Sequence, residues 1–185
     1  STREGALGVR EAASIVMQVL IAGSDSTASL LGSAVRILAE SPELARGLRE
    51  EPRLVSAFIE EVLRLESPFQ GHFRVVRHGT TLAGQRLYEG DRLMLLWASG
   101  NRDPKVYERP DALDLLRKRE RPHLGFGQGI HLCLGAGLAR GVARVVIEGL
   151  LARTTDIALG SGSLRYKPSG FVRTLDGLPI RVVAG

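Results

Sequence analysis

The chain has 185 residues, 44% apolar and 24% charged, with a net charge of +5; this is enough for one good core and excludes a disordered or low-complexity chain. Arginine outnumbers lysine 22 to 3 and aromatic residues make up only 5%, so the scattered positive charge lacks the stacking platforms of a nucleic-acid binder. A single cysteine rules out an internal disulfide, no run of about 18 uncharged apolar residues suggests a membrane span, and the opening Ser-Thr-Arg-Glu-Gly is not a signal peptide, so the expected location is the cytoplasm.

Residues 9–40 read as one helix, apolar on every side over 12–21, and a helix of that kind is expected to be buried. Ser41 and Pro42 open a second helix as N-cap and first residue. A third spans 52–65 and stops at Ser67-Pro68. The hydrophobic period then shortens, predicting strands over 74–82 and 86–96, separated by Ala83-Gly84 and interrupted by Glu89-Gly90-Asp91. Residues 101–122 are rich in turn formers, 135–153 return to a helical pattern, and the tail is β-like through 178–183. There is no internal repeat or linker, so residues 1–185 are expected to form one piece of one domain.

Chemistry concentrates around the cysteine. In Phe126-Gly127-Gln128-Gly129-Ile130-His131-Leu132-Cys133-Leu134-Gly135, the glycines let backbone N–H groups approach the sulfur, and the helix that follows presents its positive end to it. Both effects favour a thiolate able to ligate iron; an inert buried thiol is the alternative. A zinc site from His123, His131 and Cys133 has no fourth ligand, and Gly127-Gln128-Gly129 lacks the third glycine of a dinucleotide loop. Ser24, Asp25, Ser26 and Thr27 interrupt the long apolar helix, where polar groups need partners; Gly23 leaves room for a ligand, and Ser26 can bond back to a carbonyl. Glu61 and Arg64 stand three apart on one helix face, a common pairing. The run Arg117-Lys118-Arg119-Glu120-Arg121 is either a solvated face or a docking patch for an acidic electron donor.

The cysteine segment resembles the ligand loop of the cytochrome P-450 family, in which an aromatic residue, two glycines, a basic residue, the cysteine and a last glycine hold fixed places. Asp25-Ser26, with serine where the family has threonine, resembles its oxygen-activation stretch, and Glu61-Val62-Leu63-Arg64 resembles its glutamate–arginine pair. The family's third partner to that pair is often an arginine in a stretch that here reads Pro110-Asp111-Ala112-Leu113, so Arg109 or Arg117 would have to stand in.

The resemblance implies the C-terminal part of the cytochrome P-450 fold, mainly α with small β-sheets, in a chain that lacks the family's amino-terminal half. It implies haem b, with Cys133 as the metal ligand and Ala22, Gly23, Arg74, Phe126, Gly127, His131 and Gly135 about the cofactor, Arg74 and His131 at its propionates. Asp25, Ser26 and Thr27 would deliver protons, Glu61 and Arg64 would be structural, and Ala22, Phe69, Gln70, Gly71, His72, Phe73 and Phe171 would face a small-molecule substrate. The implied activity is a monooxygenase supplied with electrons by ferredoxin and ferredoxin reductase, with the missing amino-terminal half as a further partner. The alternative is a non-catalytic relative or an inactive fragment.

Overall fold

The computed structural model describes residues 7–118 and 121–185; the opening pentapeptide and the central Arg119-Glu120 of the charge run lie outside the described residues. Helix α1 (Val9–Glu40) starts with the Glu11 carboxylate accepting the Gly8 N–H at 2.8 Å. It ends at Ser41, and α2 (Pro42–Glu50) follows at once. Ser41 caps α2 through its backbone alone, its carbonyl accepting from Ala45 N–H, and its hydroxyl makes no cap bond. A single 3-10 turn (Pro52–Leu54) leads into α3 (Val55–Glu66), which stops where Ser67 takes the left-handed conformation at φ 40°.

The two long strands expected after α3 are four short ones. Strands β1 (His72–Val75) and β4 (Arg92–Leu95) pair antiparallel, and β2 (Thr80–Leu82) and β3 (Gln85–Leu87) form a separate ribbon between them. The division falls where Val76 leaves the ladder to bond across the Gly90 turn, donating to Asp91 O and accepting from Gly90 N–H, with Gly90 at φ 89°. A short helix α4 (Trp97–Gly100), irregular chain and two 3-10 turns precede α5 (Ala136–Arg153). Finally β5 (Thr154–Leu159) pairs with β6 (Ile180–Ala184).

The core forms where α1, α2, α3, α5 and β5 meet, around Leu38, Leu48, Phe58, Val62, Ile147 and Ile157. Helix α5 buries Ala143, Ile147 and Leu151, spaced four apart on one stripe. Helix α1 enters this core only from Ser29 onward. The expectation that its apolar first half is buried is therefore wrong for this chain: Ile15, Val16, Met17, Leu20 and Ile21 are exposed, because no other described element lies against them. Among the described residues α1 alone is long and apolar enough to cross a membrane, yet its last turns are part of the core.

Candidate functional site

Cys133 is exposed and sits three residues before α5, at the end of a loop shaped by Gly127 (φ 70°) and Gly129 (φ 77°). The loop closes on itself where Cys133 N–H donates to Phe126 O at 2.9 Å. A Cβ added to Gly135 would lie 3.9 Å from the Cys133 sulfur, so glycine there keeps the approach to the sulfur clear. Ile130 and Leu134, 97% and 98% exposed, form an apolar rim. His131 is exposed beside them.

Among the described residues no group of three or more metal-ligating side chains converges. One open sulfur in an apolar rim, unaccompanied by other ligands, suits a metal whose remaining ligands are carried in a flat macrocycle, and the residues present fit haem on that ground. The family model for cytochrome P450 matches residues 1–154, and the chain belongs to the cytochrome P-450 family, whose members use haem b. It is 45% identical to cytochrome P-450 144 of Mycobacterium tuberculosis, over 96% of this chain and 41% of that protein. It is 39% identical to the biotin biosynthesis cytochrome P-450 of Bacillus subtilis, over 92% of this chain and 43% of the relative. The solved structure of CYP109Q5 from Chondromyces apiculatus superposes with a TM-score of 0.92 at 37% identity, covering all of this chain and 48% of the other. The chain thus spans about two fifths of the length of these curated relatives.

The glutamate–arginine pair is the most completely bonded part of the structure. Arg64 Nε and Nη2 each donate to Glu61 at 2.9 Å, and the other donors reach the carbonyls of Asn101, Pro110 and Ala112. All five guanidinium N–H groups are thereby used. The third partner is Arg117, whose Nε lies 3.2 Å from both Glu61 oxygens and whose Nη2 donates to Ala112 O, while Arg109 pairs with Asp114 instead. Arg117 is only 8% exposed, so the charge run is neither a solvated face nor a docking patch at this position. Ala112 serves through its carbonyl, which explains why a small side chain suffices there. Burial pushes the Glu61 carboxyl up, but the hydrogen bonds from Arg64 and from Asp114 N–H and the charge of Arg64 outweigh it, and it lies below the usual carboxylate range.

The same end of α3 is tied to the cysteine loop. Asn101, fully buried, donates to Ser67 Oγ and accepts from Leu124 N–H at 2.6 Å. On the other side Glu60 accepts from Arg140 at 2.6 and 3.1 Å and lies 3.4 Å from His123 Nε2. Burial raises the Glu60 carboxyl, yet the two hydrogen bonds and the charge of Arg140, with the His123 ring 3.4 Å away, bring it down to about 2. Its ordinary value is higher, so the stabilisation is complete above about pH 4.5 and is lost as pH falls through about 2. Acid unfolding monitored by circular dichroism is expected to show about 3 kcal/mol of stability disappearing in this window, and Glu60→Gln should flatten that part of the profile.

The remaining candidates separate into groups. Asp25 is exposed on α1, Thr27 is half-buried, and Ser26 Oγ donates to Ala22 O at 2.6 Å, as Ser24 does to Leu20 O. Nothing lies within 4 Å of a Cβ placed on Gly23. Phe73 packs edge-on against Phe171 at 5.4 Å. Phe69 stacks on His72 at 5.3 Å, and Trp97 Nε1 donates to His72 Nδ1 at 2.7 Å. Side chains alternate along a strand, so His72 shares a face of β1 with Arg74 and not with Phe73. Gln70 spends its side-chain donors on the carbonyls of Glu66 and Ser67; Gly71 is required because a Cβ would come within 2.5 Å of Leu95 O. Nothing in the local sequence marks Trp97, Asn101 or Glu60 as partners, although Trp97 is the only tryptophan.

Proposed function

We propose that this chain belongs to a cytoplasmic monooxygenase that inserts one oxygen atom of O2 into a small organic substrate, drawing electrons from a ferredoxin and its reductase. The observation that carries this reading is the open Cys133 sulfur, presented by a self-closed glycine loop at the start of α5. Haem b held by Cys133 supplies the activation of O2. Phe126, Gly127 and Gly135 would hold the group from the cysteine loop, Ala22 and Gly23 would leave it room on α1, and Arg74 and His131 would donate to its carboxylates. Phe73 and Phe171, with Phe69 and His72 nearby, give the substrate an apolar wall.

Asp25, Ser26 and Thr27 move protons. The Ser26 hydrogen rests on Ala22 O; to deliver it the hydroxyl would turn from that carbonyl and donate to the oxygen substrate, while its lone pair takes a replacement proton from Asp25 or water. The exposed apolar side of α1 is covered by the amino-terminal half that this chain does not contain.

The test is turnover of the whole haem-loaded protein with NAD(P)H, ferredoxin and ferredoxin reductase, counting product against electrons consumed. Ser26→Ala is expected to cut product per NAD(P)H about tenfold and release peroxide, whereas Ser26→Thr keeps coupling. Equal coupling in wild type and Ser26→Ala would assign proton delivery to Thr27 or water.

A further inference from the structure

Arg140 is the fifth residue of α5, just beyond its first turn, and its place is set from outside the helix. The structure accounts for it through Glu60, which reaches across from α3 and accepts from Arg140 Nε at 2.6 Å and Nη2 at 3.1 Å. Held this way, the guanidinium lies 4.5 Å from the centre of the Phe126 ring. The His123 ring, which also lies beside Glu60, is 5.7 Å from the same ring. Phe126 is in turn the residue whose carbonyl accepts the Cys133 N–H. One carboxylate on α3 therefore grips both the segment entering the cysteine loop and the helix leaving it, and fixes a positive charge against the aromatic residue bonded to the cysteine.

We propose that Glu60 and Arg140 are an electrostatic positioning pair for the Cys133 thiolate: Arg140 supplies a fixed positive charge beside the sulfur's loop, and Glu60 sets its place and partly cancels it. This rests on the haem-thiolate reading above. Arg140 is held even more firmly charged than an ordinary arginine, first by the hydrogen bond to Glu60 and then by the charge of the Glu60 carboxylate, against the cost of its partial burial. Adding one electron to the iron lowers the charge at the site, so a nearby cation favours the ferrous state and a nearby anion the ferric state.

The experiment poises the whole haem-loaded protein anaerobically with one-electron mediator dyes and reads the ferrous-to-ferric ratio by absorbance. Arg140→Leu is expected to lower that ratio at fixed potential by about three- to tenfold, and Glu60→Gln to raise it by a similar factor. The double variant should return close to wild type, and Arg140→Lys, which keeps the charge, should stay near it. A merely structural staple would move both single variants in the same direction. That outcome, no change in either, or Arg140→Lys behaving like Arg140→Leu would overturn the proposal. The strongly red-shifted carbon monoxide Soret band of the wild-type protein separates the pairing from the haem-thiolate reading. With the band present, those outcomes overturn only the pairing; without it, the haem-thiolate reading falls and the pairing with it.

Discussion

Replacing Cys133 by serine is expected to abolish the strongly red-shifted Soret band of the ferrous carbon monoxide complex and to reduce monooxygenase turnover to background, without unfolding the protein. The substitution exchanges one atom. A cysteine sulfur binds iron as the thiolate, while a serine hydroxyl in its place stays protonated and is a poor ligand for iron. The fold should not notice, because Cys133 is exposed and its only described backbone bonds, from its N–H to Phe126 O and from Ala136 N–H to its carbonyl, are open to serine. Thermal unfolding should shift by less than about 1 kcal/mol. Loss of the band with an unchanged melting curve assigns the ligand. A variant that keeps the band would remove Cys133 from that role and, with it, the basis for monooxygenase chemistry.

The parts of this structure legible in the sequence are those fixed by neighbours in the chain. Helix α1 has the expected bounds because its pattern and its stop at Ser41-Pro42 are local, and the cysteine loop is recognisable because its glycines, the basic residue and the sulfur are close together. The long strands were not legible as four, since the break depends on Val76 bonding across the Gly90 turn. The exposure of α1 is not legible for a related reason: an apolar surface predicts a covering, but not whether the same chain provides it. The identity of the third partner was likewise invisible, because Arg117 is recruited by Glu61 and by the backbone carbonyls of Glu108, Arg109 and Ala112, and carbonyls leave no residue signature. Glu60 is the extreme case, adjacent to a recognisable motif but significant only through Arg140 and His123, far along the chain.

Removing the Arg64 guanidinium is expected to be the most destabilising single change in the chain. Arg64 and Glu61 are each only 2% exposed, so Arg64→Met would leave the Glu61 carboxylate buried with half its donors gone and strand the carbonyls of Asn101 and Pro110. Breaking a buried pair from one side costs about 3–5 kcal/mol, a large fraction of a domain's stability. Lysine should not rescue it. It keeps the charge but has three donors on one nitrogen and cannot reach Glu61 and three carbonyls at once. Arg117→Ala should cost about 2 kcal/mol, since it is buried but Glu61 keeps Arg64 and the Asp114 N–H. Arg109→Ala should cost less than about 1 kcal/mol, because its own side chain is 67% exposed. Urea unfolding of the haem-loaded protein followed by circular dichroism orders the three. If Arg109→Ala proved costlier than Arg117→Ala, the third partner would be Arg109, and the bonding that ties residues 101–117 to α3 would have to be redrawn.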